Sequence, residues 1–177
     1  MRRFIACLFA VSAVGLAYGQ SGGFPVGVDV GVFFPVDKDV RDTFGKSWTR
    51  IGLTPLSFQK PDNWKTSFDF VYLHQRKSGN SVTLIPVTFG ATRSFGNNQM
   101  MRPYVAFRVG PYWGDVDSPD LGVNSSRVGI DVNGSLGVTF NNMFYVEARY
   151  DYMSDFKGLN FNGFFISAGI RLFELRL

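Results

Sequence analysis

From Val26 onward apolar residues recur at every second position, and beyond Gln20 no segment keeps an apolar helical stripe through more than two turns. Successive side chains of a strand point to opposite faces, so this period predicts an all-β chain. In the first segment Val26, Val28, Val30, Val32 and Phe34 share one face, with Gly27, Asp29, Gly31 and Phe33 on the other. The same alternation predicts strands over 48–58, 66–74, 82–95, 103–113, 128–140, 144–152 and 164–173. Pro86 falls inside the fourth of these, where the missing N–H calls for a local bulge.

Eight segments of this length suit strands that cross a bilayer at a tilt, for which roughly 9 to 11 residues suffice. The connections at 35–47, 75–80, 114–127 and 153–163 are mostly longer than those at 96–99 and 141–142, as in barrels with long outer loops and short periplasmic turns. Which face points inward decides between a membrane barrel and a soluble one. The polar face is rich in Gly, Ser and Thr and carries Asp29, Arg50, Asp69, Arg93, Arg108, Asp131, Glu147, Arg149, Asp151 and Arg171, five of each sign. Balanced charges among small residues fit a narrow lumen, because buried ions survive only when paired and hydrogen-bonded. The other face has aliphatic residues in mid-strand. Aromatics are assigned to its ends, low at Phe24, Phe58, Phe68, Phe95, Tyr104, Phe140, Phe144 and Phe173, and high at Phe34, Tyr72, Trp113 and Tyr152. That arrangement predicts a lipid-facing band between two girdles. The fold class expected is an eight-stranded antiparallel up-and-down transmembrane β-barrel over residues 20–177, with the ten charges as a structural network inside it.

Residues 1–19 differ in composition from the rest of the chain. Arg2 and Arg3 precede an uncharged apolar run from Phe4 to Ala17, and Ala17-Tyr18-Gly19 offers small residues at the positions a signal peptidase accepts. A signal peptide and export are therefore expected; the run is short for a membrane-spanning helix, which needs about 20 apolar residues. Cys7, the sole cysteine, lies within that segment, which excludes disulfides, thiol catalysis and cysteine metal sites from the exported part. The formal charge of +4 falls to +2 without Arg2 and Arg3, and basic residues are interleaved with acids, so nucleic acid is not an expected partner.

The segments "RPYVAFRVGPY", "FYVEARYDY" and "FFISAGIRLF" resemble strands of the small OmpA/OmpX-type outer-membrane β-barrel superfamily. The resemblance covers residues 20–177. It implies the outer membrane of a diderm bacterium, contact with outer-membrane lipids and lipopolysaccharide, insertion by the barrel-assembly machinery, and a monomer. The family's terminal insertion signal is matched by Ser167, Gly169 and Leu172, but its last slot holds Glu174 and the sequence runs on to Leu177.

Some barrels of this size that the chain resembles are lipid A acyltransferases or deacylases that use a histidine. His74, the only histidine, has the phase of Phe68, Phe70 and Tyr72 and reads as a girdle or loop residue without a serine and carboxylate arrangement beside it. Asp115, Asp117 and Asp120 lack the glycine and distal glutamate of a calcium loop and read as solvated. Lys38, Arg41, Lys46, Arg76, Lys77, Arg127 and Lys157 fall in or beside the outer loops, where they could pair with lipopolysaccharide phosphates, although acids are as frequent there. Residues 37–45 predict one short helix, with Asp37 as N-cap and Gly45 as stop, either a surface loop or a lid over the mouth. No cofactor or metal is implied. The function expected is a non-enzymatic outer-membrane barrel with a structural or surface-interaction role; the alternatives are a lipid-modifying barrel enzyme and a soluble ligand-binding barrel.

Overall fold

A computed structural model describes residues 24–53, 63–96, 98 and 100–175, with backbone alone for residues 24–25 and 173–175. The expected signal peptide, Pro55, Phe58 and nearly all of the connection after the second strand lie outside the described residues, as do the side chains of Phe24 and Phe173. Eight strands run β1 (Phe24–Pro35), β2 (Trp48–Leu53), β3 (Trp64–Lys77), β4 (Asn80–Ser94), β5 (Met101–Ser118), β6 (Val123–Phe140), β7 (Phe144–Met153) and β8 (Gly163–Leu175). Each pairs antiparallel with its sequence neighbour, and β1 pairs with β8, so the sheet closes into a barrel.

Closure removes the edges of the sheet, and with them the unpaired backbone groups that neither lipid nor a partner strand would satisfy. The expected bulge at Pro86 is absent: Phe70 pairs with Val87 and Leu73 with Leu84 in one unbroken register. The irregularity sits instead between Val26 and Gly27, where β1 shifts against β8. The connections expected at 75–80 and 114–127 are mostly strand. β3 and β4 meet at a Ser78–Gly79 turn, and β5 and β6 continue to a short 3-10 turn at Pro119–Leu121. The turns after β1, β3, β5 and β7 share one end of the barrel, here called the upper end.

The outward face is apolar along the middle of the barrel. Val30 is 63% exposed, Leu136 67%, Phe107 61% and Ile166 56%, whereas Asp131 and Asp151 are 0% exposed. Phe34, Tyr72, Tyr152 and Phe164 are exposed toward the upper end and Phe95, Phe140 and Phe144 toward the lower. Two aromatics depart from the expected girdles. Tyr104 points inward and is buried, while Phe68 has the outward phase but sits four residues above Trp64, away from the lower end of β3, its ring 4.9 Å from that of Phe89.

Several inward rings need glycine on the next strand. Tyr104 pairs with Gly137, Tyr112 with Gly129 and Tyr145 with Gly169, and in each case a Cβ on the glycine would run into the tyrosine ring. The rings therefore lie flat against bare backbone, which lets three large side chains share a narrow lumen.

Candidate functional site

The lumen has two chemically distinct halves. Its middle and lower part is polar. Arg50 on β2 pairs with Asp29 on β1 and reaches Asp69 on β3 at 3.3 Å. Arg149 on β7 also pairs with Asp69, and meets Asp151 on its own strand through Nε at 2.7 Å and Nη2 at 2.8 Å. Asp69 thus joins Arg50 of the neighbouring strand to Arg149 of the strand opposite its own. Below, Arg108 lies 3.6 Å from Glu147, which accepts a hydrogen bond from the Tyr104 hydroxyl at 2.9 Å. Tyr145 donates to Asp29 at 3.0 Å. The guanidinium groups of Arg50 and Arg149 also face the Phe165 ring, at 5.4 and 4.6 Å from its centroid. Buried pairs of this kind lose hydration, so several bonds per ion are required to hold them.

Of the ten charges assigned to the interior, Asp29, Arg50, Asp69, Arg108, Asp131, Glu147, Arg149 and Asp151 are buried in the lumen. Asp131 accepts from Asn133 Nδ2 at 3.2 Å. Arg171 shares the inward face with Gly27 at the lower rim and is half-buried. Arg93 is a correction: it pairs with Trp64 and Val105, both outward, and so lies on the outer wall, its guanidinium over Phe95 at 5.5 Å. Its odd number in β4 gives it the phase of Phe89 and Ala91, opposite Thr88 and Thr92. Arg102, 4% exposed and in phase with Arg108, is the inward arginine that sequence reasoning missed. Counting alternation strictly from Arg108 would have found it.

The upper lumen is apolar. Phe33, Trp48, Val71, Leu73, Leu84, Tyr112, Met153 and Phe165 line it. Residues 37–45 enter it as well: helix α1 (Lys38–Phe44) buries Val40 and Phe44 completely. Asp37 caps the helix by accepting from Val40 N at 3.0 Å, and Gly45 at φ 106 turns the chain back, its carbonyl receiving the Trp48 indole N–H at 2.9 Å. From the other side the β7–β8 connection inserts Phe156, Leu159 and Phe161, with Phe161 6.1 Å from Trp48 and 6.4 Å from Phe44. Helix and connection together form a stopper in the upper mouth, so α1 is a lid packed into the lumen and not a surface loop.

Outside the barrel, above the apolar band, four polar residues form a cross-strand row: His74 pairs with Thr83, Thr83 with Asp115 and Asp115 with Ser126. His74 Nδ1 lies 3.0 Å from Thr83 Oγ1, its ring stacked beside Tyr72, and Ser126 donates to Asp115. Ser126 is three strands from His74, about 14 Å at the usual strand spacing, beyond the reach of a nucleophile for its base. Asp120 accepts from Asn80 Nδ2 at 2.7 Å, and among the described residues no group of three or more His, Cys, Asp or Glu could hold a metal.

The comparisons with solved structures place this geometry. Neisserial surface protein A is 16% identical over 90% of this chain and 100% of its own, with a TM-score of 0.65. The fold is that of the small outer-membrane β-barrels. The outer membrane enzyme PagL is 14% identical over 82% of this chain and 99% of its own, with a TM-score of 0.61. The N-terminal barrel domain of Pseudomonas aeruginosa OprF is 15% identical over 84% of this chain and 96% of its own, with a TM-score of 0.50. No protein-family model matches the chain, and no curated protein matches it.

Proposed function

We propose that this protein is exported by its N-terminal segment, inserted by the barrel-assembly machinery as a monomer, and acts in the outer membrane as a non-enzymatic, sealed barrel that presents its upper end for surface interaction or envelope integrity. The observation that carries this reading is the division of the wall: aliphatic and aromatic side chains outward, paired ions and a hydrocarbon stopper inward. Eight strands leave an interior that side chains can fill, and here both halves are filled, so the reading includes no solute pathway. Lys38, Arg41, Lys46, Arg76, Lys77 and Lys157, around the upper mouth, suit lipopolysaccharide phosphates as the partner chemistry.

Cell fractionation tests the reading, with electrophoresis before and after boiling. The protein is expected in the outer membrane and to migrate faster unboiled; a water-soluble monomer obtained without detergent contradicts it. Purified protein in planar bilayers is expected to show no steady conductance.

A second reading is a barrel enzyme acting on lipids, favoured by the row that contains His74 and Thr83 at the membrane boundary. Incubation with labelled lipid A distinguishes the two: release of acyl chains by the wild type that is lost in His74→Ala supports the enzyme, and no turnover supports the proposal.

A further inference from the structure

Arg93 is out of place on a lipid-facing wall. It sits one residue from the lower end of β4, outward, between Trp64 on β3 and Val105 on β5. The described residues around it on that surface are uncharged: Trp64 is 51% exposed, Phe107 61% and Phe95 36%, with the rings of Trp64 and Phe107 6.3 Å apart. Its Nε is buried without a hydrogen-bond partner, and among the described residues no carboxylate lies within ion-pair distance of it.

Arg93 is half-buried, and a guanidinium partly withdrawn from water among apolar side chains favours an anionic partner. Among the described residues the protein supplies the shape but not the negative charge. The Phe95 ring holds one face of the guanidinium, the planar fork matches two oxygens of a phosphate, and an exposed tryptophan at the end of an apolar band marks the headgroup level. We propose that Arg93, Trp64 and Phe95 form a binding site for the phosphate of an anionic phospholipid at the lower rim of the barrel. The proposal rests on the membrane reading above. It gives Arg93 a role distinct from the arginines of the lumen, whose partners are the protein's own carboxylates.

The test uses the full chain refolded in detergent doped with phosphatidylglycerol, with retained lipid counted by native mass spectrometry. Wild type is expected to hold one more tightly bound phosphatidylglycerol than Arg93→Gln, whose occupancy falls by about fivefold, as for loss of one charge-assisted contact. Arg93→Lys, which keeps the charge but loses the fork, should fall between them. Met143→Gln, at an exposed neutral position in the β6–β7 turn at the same end of the barrel, should match wild type. Equal retention by wild type and Arg93→Gln overturns the site. So does an Arg93-dependent adduct of inorganic phosphate, in lipid-free detergent, that phosphatidylglycerol fails to displace, because the ligand is then free phosphate. The shift in migration on boiling, measured on the same samples, separates these outcomes from failure of the barrel reading. A wild type without that shift refutes the membrane barrel itself, whereas folded variants with unchanged lipid refute only the site.

Discussion

Arg149 on β7 and Asp69 on β3 form an ion pair across the lumen, both side chains 1% exposed. Asp69 also faces Arg50, and Arg149 also holds Asp151, so one contact ties β2, β3 and β7 together through the centre of the barrel. Arg149→Ala leaves two buried carboxylates short of a partner and is expected to destabilise the barrel by about 3 to 5 kcal/mol. Urea unfolding in detergent measures this. In the double variant Arg149→Ala with Asp69→Ala, part of the loss should return, because one stranded charge is gone. A single variant as resistant as wild type would show that the pair contributes nothing.

The stopper makes a different prediction. Phe161 is buried between Phe44, Trp48 and Phe156, contacts that join the β7–β8 connection to α1. Phe161→Ala should cost about 3 to 5 kcal/mol locally, since the ring leaves a cavity among other rings. The expected outcome is rapid proteolysis within residues 154–162 while the shift on boiling persists. Protection equal to wild type would mean that the mouth is held shut elsewhere.

Gly137 lies beneath the Tyr104 ring, and Gly137→Val forces that ring off the backbone and away from Glu147. A loss of about 1 to 3 kcal/mol is expected from overpacking, read as a lower urea midpoint. Gly134, which faces outward beside Phe107 with room for a Cβ at 3.6 Å, is the matched site where Ala should fold normally.

How far the sequence alone revealed this molecule depends on what alternation can and cannot say. Period two placed Val30 outside and Asp131 inside because the two faces differ in polarity there. Over 66–74 it placed Phe70 and Tyr72 outside but said nothing of Val71 and Leu73 on the inner face, which are buried in the apolar cluster of the upper lumen. An apolar run on both faces is the mark of a strand between two hydrophobic media, a signal that the expectation of a polar interior left unused. Arg93 went astray because polarity was allowed to outvote phase, whereas Arg102 was overlooked because the fifth strand was read as starting at residue 103 and β5 starts at Met101. Tyr104 went to a girdle on its ring alone, although it shares the phase of Arg108. The caps of α1 were legible in Asp37 and Gly45; that its Val40 and Phe44 would meet Phe161 depends on contacts far apart in sequence, which no local pattern encodes.

The lipid-facing wall predicts a depth-dependent penalty. Leu136 and Val132 are exposed in the middle of β6. Leu136→Arg should destabilise the barrel in a bilayer by about 2 to 4 kcal/mol, as for cations at the bilayer midplane. The effect should shrink for a substitution near the rim such as Phe140→Arg.

Orientation of the wall is tested most directly with spin labels on the adjacent β6 positions 135 and 136, because the sole native cysteine is Cys7. In lipid vesicles a nitroxide on Leu136→Cys should collide freely with oxygen and hardly at all with a water-soluble nickel chelate, while one on Ser135→Cys should be shielded from both. A label at 136 relaxed by nickel, or at 135 relaxed by oxygen as strongly as its neighbour, would contradict the account.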